Sequence, residues 1–191
     1  KPGTERVIAP KPEEEAGFDA VVGNPPYVSV TNIPQTDREY LLAMYVTATG
    51  RFDLYVSFLE RGLSLAASAG SVSLIVPIKF CVFANGRNLR RMVLGKHSLS
   101  EIIDISQCQD VFEDPTTYPC VLRIDARAPG PKARFGVFKA SSEEAEPLLL
   151  DQSRLAAMTV HVAFSQALAE PDLIIRTDAA PALSRILARL N

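Results

Sequence analysis

FDAVVGNPPYVSV, at residues 18–30, is the stretch from which the fold is most readily inferred. Its first six residues form a short, almost continuous apolar run that ends at Gly23, and two prolines follow shortly after. Such a run is typical of a strand buried on both faces of a parallel sheet. The sequence therefore predicts an internal strand with Asn24 at its carboxyl end, where open α/β sheets bind their ligands.

Helical and strand patterns alternate after this strand. A helix is predicted from Asp53, a good N-cap, to Gly70, a residue type that commonly follows a helix end. Further helices are predicted at residues 37–46, 85–94 and 181–190, and further strands at residues 71–76, 101–105, 120–125, 134–138 and 159–164. This alternation indicates an α/β layer around a mainly parallel sheet.

The tetrapeptide Asn24-Pro25-Pro26-Tyr27 carries the clearest chemical signal. Each proline restricts the residue before it to extended conformations, so the tetrapeptide is stiff. The Asn24 side-chain oxygen and the Pro25 carbonyl oxygen are two neighbouring acceptors that can bind both hydrogens of one NH₂ group. Tyr27 offers an aromatic face for the ring that carries the amine. The alternative is a turn that merely ends the strand, because turns favour the same residue types.

This arrangement suits methyl transfer to a planar amine. The nitrogen lone pair of an adenine amino group is delocalised into the ring, which makes the amine a poor nucleophile. Accepting hydrogen bonds from both N–H groups favours a tetrahedral nitrogen, which stabilises the transition state specifically. The electrophile would be the methyl group of S-adenosylmethionine, and no histidine is needed as an initial base.

Composition excludes several other classes of protein. The 191 residues include 2 His and 3 Cys, and no Cys pair has the C-x-x-C spacing, so a metal centre or a disulfide framework is not expected. No apolar run is long enough to span a bilayer, and the first residues do not resemble a secretory signal or a transit peptide, which favours a soluble, cytoplasmic protein.

Charge is unevenly distributed along the chain. The net charge of −2 would argue against a nucleic-acid partner. Residues 51–100, however, hold seven basic and two acidic side chains, a local charge of +5. Residues 79–96 hold five cations and no anion. Either a phosphate-binding surface or an ordinary solvated helix face would produce this pattern.

Four segments resemble successive parts of one protein family. They are FDAVVGNPPYVSV, FDLYVSFLE at residues 52–60, SVSLIVPIKF at residues 71–80, and EIIDISQCQDVFEDPTTYPCVL at residues 101–122. Together they are similar to the adenine-specific DNA methylases of bifunctional type II restriction-modification enzymes, the type IIG-like group. The resemblance covers residues 18–125 and implies a Rossmann-like, S-adenosylmethionine-dependent methyltransferase fold.

The resemblance also implies roles for individual residues at the target base. Asn24 and Pro25 would bind the target amine, Tyr27 would stack on the extruded adenine, and Phe112 would pack against that base from another loop. Base extrusion is expected because the amine cannot be reached inside a stacked duplex. A core position is the alternative for Phe112.

Cofactor and DNA contacts follow in the same way. Phe58 would lie against the adenine of the cofactor with Pro26 nearby, although its helical spacing also suits a core residue. Phosphate contacts to double-stranded DNA are expected from the basic segment, at Lys79, Arg87, Arg90 and Arg91.

The sequence departs from the family pattern in its first residues. The glycine-rich cofactor turn that precedes the Asn-Pro-Pro-Tyr motif in the family is not found upstream of Phe18. We therefore expect a flexible leader at residues 1–17, the catalytic, C-terminal half of the sheet at 18–127, and a small α+β tail at 128–191 that leads towards a target-recognition domain not present. The isolated chain is expected to be inactive.

Other functions remain open at this point. The Asn-Pro-Pro-Tyr motif also suits methyltransferases that act on release-factor glutamine or on ribosomal-RNA guanine, although residues 77–80 and Val111-Phe112 favour the DNA family. A non-catalytic DNA-binding or assembly subunit with the same fold is a further alternative. No pair of acids followed by lysine predicts a nuclease centre.

Overall fold

A computed structural model describes residues 16–108, 118–140 and 151–177 of the chain. Within these ranges one sheet of six strands has the order β1-β2-β4-β3-β5-β6. The strands are β1 Phe18–Gly23, β2 Ala66–Pro77, β3 Ser98–Asp104, β4 Pro119–Asp125, β5 Arg134–Lys139 and β6 Val160–Ala163. The α-helices are α1 Gln35–Met44, α2 Tyr55–Leu65, α3 Arg87–Arg91, α4 Gln152–Met158 and α5 Phe164–Ala169.

The sheet is mixed, so the prediction of a mainly parallel sheet is wrong. Strands β1 and β2 are parallel, as are β3 and β5, but β4 is antiparallel to both β2 and β3, and β6 is antiparallel to β5. Strands β3 and β4 are consecutive in the sequence and adjacent in the sheet. Strands that follow one another in the chain and lie side by side commonly pair in opposite directions, because a parallel pair needs a long crossover connection.

Strand β1 is more exposed than its apolar sequence suggested. Phe18 is 62% and Val22 78% exposed, whereas Val21 is partly buried and packs against the core. The prediction of a strand buried on both faces is therefore wrong for the described residues. There β1 is the edge strand, and α2 covers only the face that carries Val21.

Helix α2 is shorter than predicted. It ends at Leu65, and residues 66–70 already belong to β2, where Ala66 pairs with Phe18. Gly70 does not follow a helix end. A Cβ atom there would lie 2.5 Å from the Phe18 carbonyl oxygen, so the glycine permits a close approach of two backbones. Asp53 is not the N-cap either, because Leu54 occupies that position.

The helical segment after β2 is irregular. Short 3₁₀ turns at Ile78–Cys81 and Ala84–Gly86 precede α3, and a π-helical turn at Met92–Lys96 follows it. The predicted helix at residues 85–94 is thus present in a broken form, and Gly86 is the N-cap of α3.

The main core lies between the sheet and helices α2 and α3. Residues beyond 128 contribute to it: the rings of Phe135 and Phe164 meet edge to face at 5.6 Å, and the amide of buried Ile175 donates to the Cys81 carbonyl. Strands β5 and β6 thereby continue the same sheet. The predicted leader, apart from residues 16 and 17, and the predicted helix at residues 181–190 lie outside the described ranges. No helix within those ranges has the length and apolarity required to cross a membrane.

Candidate functional site

A cavity of about 470 Å³ lies at the carboxyl end of β1. Asn24 and Pro25 form one wall, and helix α2 forms another with Ser57, Phe58 and Arg61. Residues from α1, β1 and β2 complete the lining. This is the edge of the sheet at which the sequence predicted a ligand.

Asn24 and Pro25 differ in exposure in a way that suits a binding loop. Pro25 is buried, whereas Asn24 is exposed, and the Asn24 side chain makes no hydrogen bond to any of the described residues. The side-chain amide oxygen of Asn24 is therefore available as an acceptor at the cavity. The buried proline fixes the backbone immediately beside it.

Phe58 lines the cavity rather than the core. It is 50% exposed, while the neighbouring Leu59 is fully buried. Helical geometry separates the two side chains by about 100° on the helix surface. The core alternative for Phe58 is therefore excluded, and its ring is available to a ligand in the same cavity as Asn24.

Tyr27 and Pro26 occupy different positions from the other two motif residues. The Tyr27 ring is half-buried and meets the Tyr55 ring edge to face at a centroid distance of 6.5 Å. Burial raises the pKa of Tyr27 to about 12, and Cys120 adds to the effect, so the phenol is neutral at ordinary pH. Pro26 is exposed, and neither residue is among those that line the cavity.

The segment after the motif is attached to the start of α2. The Val30 amide donates to the Phe52 carbonyl and the Leu54 amide donates to the Val28 carbonyl, both at 2.9 Å. Ser29 and Asp53 form an isolated antiparallel bridge between these two bonds. The segment after the motif and the segment before α2 are thus held together by backbone hydrogen bonds.

Sequence reasoning missed two polar residues of α2 in the cavity wall. The Ser57 hydroxyl is buried and has no hydrogen-bond partner in the described part of the chain, and exposed Arg61 lies one turn further along. Their i, i+4 spacing places them on the same helix face, adjacent to Phe58. That spacing is the signal that could have identified them.

The cations predicted to contact DNA are not all at the surface. Arg90 is fully buried, and its guanidinium donates to the carbonyls of Phe80, Phe83 and Asp172, so the prediction that Arg90 binds phosphate is wrong. Its burial follows from helical spacing, because Leu89 and Arg90 share the face that continues with Val93 and Leu94.

The other three cations are at least partly exposed. Lys79 pairs with Asp53 at 2.7 Å, and Arg87 pairs with Asp172 at 3.2 Å. Arg91 is exposed and lines a second cavity, of about 750 Å³, with Glu60, Lys96 and His97.

Phe112 lies outside the described residues, so its position relative to the cavity is not defined. Among the residues that are described, no group of three or more His, Cys, Asp or Glu side chains could hold a metal ion.

Solved structures establish the fold. A methyltransferase subunit of a type I restriction-modification system from Streptococcus thermophilus matches 90% of this chain and 39% of its own, at 15% identity and a TM-score of 0.60. A Listeria monocytogenes protein described as a class I S-adenosylmethionine-dependent methyltransferase matches 74% of this chain and 40% of its own, at 17% identity and a TM-score of 0.53. The fold is the Rossmann-like fold of these methyltransferases, as predicted.

Sequence relatives are restriction-modification proteins. The type II methyltransferase M.XhoI of Xanthomonas vasicola is 35% identical over 128 residues, which are 67% of this chain and 23% of that protein. The type II restriction enzyme and methyltransferase RM.Eco57I of Escherichia coli is 34% identical over 111 residues, 56% of this chain and 11% of that protein. The chain thus spans less than a quarter of either relative. The model of the Eco57I restriction-modification methylase family matches residues 4–112, more than half of the sequence, and the chain belongs to that family.

Proposed function

We propose that this chain carries the catalytic part of a DNA methyltransferase that transfers a methyl group from S-adenosylmethionine to the exocyclic amine of adenine, within a restriction-modification system. The observation that carries the proposal is the common cavity of Asn24, Pro25 and Phe58. One side of that cavity offers acceptors for an amine, and the other offers an aromatic ring for a planar heterocycle. Membership of the methylase family supports the same reaction.

Asn24 and Pro25 would act directly on the target amine. The Asn24 side-chain oxygen and the Pro25 carbonyl oxygen would each accept one hydrogen bond from an N–H group of the amine. These bonds draw the lone pair of the amine nitrogen out of conjugation with the adenine ring. This interaction is stronger in the transition state than in the bound substrate and therefore accelerates transfer. Asn24 is exposed and would be open to an extruded base, while the buried Pro25 would hold the backbone beside it in place.

S-adenosylmethionine fits the remaining wall of the cavity. When bound, it supplies the electrophilic methyl group. Phe58, with half of its surface exposed, would stack on the adenine ring of the cofactor. The Ser57 hydroxyl, which has no hydrogen-bond partner among the residues that the structure describes, lines the same cavity. Pro26 would approach the cofactor from its exposed position.

The remaining contacts to DNA belong to the same proposal. Tyr27 would present the exposed part of its half-buried ring to the extruded base, with Phe112 on the opposite side. Arg87 and Arg91 would contact phosphate. Residues 18–127 would form the catalytic half of the methyltransferase domain and residues 128–191 the segment after it, in a cytoplasmic protein.

Transfer of labelled methyl groups tests the proposal. The full natural protein is incubated with S-adenosylmethionine labelled in its methyl group and with duplex DNA, and the label in DNA is counted. Asn24→Ala should lower the rate by about 10²–10³-fold, the usual effect of deleting one group that stabilises a transition state. Asn32→Ala is the matched control, because Asn32 is exposed and lies outside the cavity.

The alternative functions predict other results. Full activity of the Asn24→Ala variant would overturn the catalytic assignment. Label found in protein or RNA but not in DNA would favour the glutamine or ribosomal-RNA methyltransferases. Binding of DNA without any transfer would favour a non-catalytic subunit.

A further inference from the structure

The ion pair between Asp53 and Lys79 lies just before α2, the helix that forms one wall of the cavity, and the chemistry proposed above does not use it. The Lys79 ammonium nitrogen is 2.7 Å from Oδ2 of Asp53. The Asp53 side chain is only 11% exposed, whereas that of Lys79 is 41% exposed. A buried carboxylate without a counter-charge is strongly unfavourable, and Lys79 provides that counter-charge.

Asp53 and the two residues after it hold the segment that follows Asn24 and Pro25. Asp53 forms the bridge with Ser29, and the Leu54 amide donates to the Val28 carbonyl. Tyr55 meets the Tyr27 ring edge to face. Three consecutive residues therefore contact the motif or the turn of chain directly after it.

Asp53 is also bonded to the first turn of α2. Its carbonyl accepts the Val56 amide at 3.2 Å, and Phe58 follows in the first turns of the helix. The position of Asp53 therefore affects both walls of the cavity, the Asn24 side through Ser29 and the Phe58 side through the helix.

Lys79 fixes this unit to the sheet. It lies in the 3₁₀ turn directly after β2, the parallel neighbour of β1, and the Ile78 amide donates to the Tyr118 carbonyl beside β4. Lys79 thus joins the carboxyl end of β2 to Asp53, the residue that is bridged to Ser29 in the segment after the motif.

We propose that Asp53 and Lys79 are a pair of positioning residues, which hold the Asn24-Pro25 acceptors and Phe58 at the separation that methyl transfer requires. The inference rests on the proposed function. It gives Lys79 a role inside the protein in place of a phosphate contact, although both roles involve the same ammonium group.

Steady-state kinetics of the full natural protein separate the two roles of Lys79. Lys79→Met and Asp53→Asn should each lower kcat for methyl transfer on the order of tenfold to a hundredfold, the penalty for misplaced reacting groups, with little change in KM for DNA. The double variant should be no slower than either single variant, because both changes break one interaction. Lys79→Arg should restore most of kcat, and Lys132→Met, which removes an exposed lysine in the turn before β5, should change nothing.

A phosphate contact predicts a different pattern and would overturn the inference. In that case Lys79→Met would raise KM for DNA. It would also lower, by about one, the slope of the logarithm of DNA affinity against the logarithm of salt concentration. Asp53→Asn would leave kcat unchanged. Additive losses in the double variant would likewise show that the two residues act separately.

Hydrogen exchange provides a test that does not depend on catalysis. The Val30 and Leu54 amides, which close the two backbone bonds around Asp53, should exchange faster in Asp53→Asn and in Lys79→Met than in Lys132→Met, at equal global stability. Unchanged exchange would contradict the positioning role. A wild-type protein that transfers no methyl group would contradict the proposed function, while the exchange result would still decide the role of the pair.

Discussion

The Arg90 guanidinium donates two hydrogen bonds to the carbonyl oxygen of Asp172, from Nη2 at 2.8 Å and from Nε at 3.2 Å. The two residues are 82 positions apart in the sequence. Asp172 and Leu173 both have a positive φ, 56° and 57°, which is uncommon for residues other than glycine. Arg90 therefore holds an unfavourable backbone turn against the segment that follows β2.

Replacing Arg90 should destabilise the fold. In Arg90→Met the buried carbonyl of Phe80 and the carbonyl of Asp172 lose the guanidinium as donor, whereas the Phe83 carbonyl keeps the Gly86 amide. A buried carbonyl left unpaired costs about 1–3 kcal/mol, and the packing of the buried side chain is lost as well. We expect a loss of about 3 kcal/mol or more in the free energy of unfolding, measured by urea denaturation. Arg91→Met, which changes the exposed neighbour, should cost no more than about 0.5 kcal/mol. Equal stability of the two variants would contradict the structural role of Arg90.

The burial of Arg90 illustrates what the sequence could and could not predict. The candidate loop at the end of β1 could be predicted from the sequence because strand β1, the two prolines and Asn24 are adjacent in the chain. The acceptors of Arg90 lie before α3 and near the end of the described residues, and no local pattern connects them. The local charge of +5 in residues 51–100 therefore overestimates the charge at the surface, because one of the guanidinium groups in this segment is fully buried.

The end of α2 was mispredicted for a related reason. Ala66, Ala67 and Ala69 have high helical propensity, which favoured a helix that continued to Gly70. Pairing with Phe18 in the sheet overrides that local preference. The direction of β4 was likewise not predictable from apolar periodicity, because a buried strand has the same pattern in either direction.

Gly86 should be intolerant of a side chain. A Cβ atom there would overlap the Phe80 carbonyl oxygen and lie 2.8 Å from Nη1 of Arg90, so Gly86→Ala should lower the unfolding free energy by about 1–3 kcal/mol. Gly95→Ala is the matched change in open space, with nothing within 4 Å, and should be neutral or stabilising by up to about 1 kcal/mol. Thermal denaturation of both variants measures the difference, and a neutral Gly86→Ala would show that the contact is not tight.

Phe58 and Leu59 should separate ligand binding from stability. Phe58→Ala removes a half-exposed ring and should weaken S-adenosylmethionine binding on the order of tenfold to a hundredfold, with little change in stability. Leu59→Ala removes a fully buried side chain and should cost about 2–5 kcal/mol of stability. Calorimetric titration of the full natural protein, beside urea denaturation, checks both. Unchanged affinity in Phe58→Ala would exclude the ring from the cofactor site.

Stability should fall at alkaline pH. Burial raises the pKa of the Cys81 and Cys120 thiols, and it raises the pKa of Tyr27 to about 12. The unfolded chain therefore loses these protons first, the thiols from about pH 8.5, while the folded protein retains them. Their contribution to stability is complete below that pH and is lost as the pH rises towards the folded-state pKa values.

Urea denaturation between pH 7 and pH 10.5, followed by circular dichroism, tests this dependence. The unfolding free energy should decrease above about pH 8.5, by up to about 1.4 kcal/mol per pH unit for each thiol. Cys81→Ala should make the decrease shallower. A constant or rising free energy over this range would contradict the burial of the thiols.

The nature of the methylated base tests the central claim most directly. Duplex DNA is incubated with the full natural protein and S-adenosylmethionine and digested to nucleosides, and the products are identified by mass spectrometry. The arrangement of Asn24, Pro25 and Phe58 around one cavity predicts N6-methyladenine, which disappears with Asn24→Ala and persists with Asn32→Ala. Methylated cytosine in place of methylated adenine, or N6-methyladenine at the wild-type level in Asn24→Ala, would contradict the account.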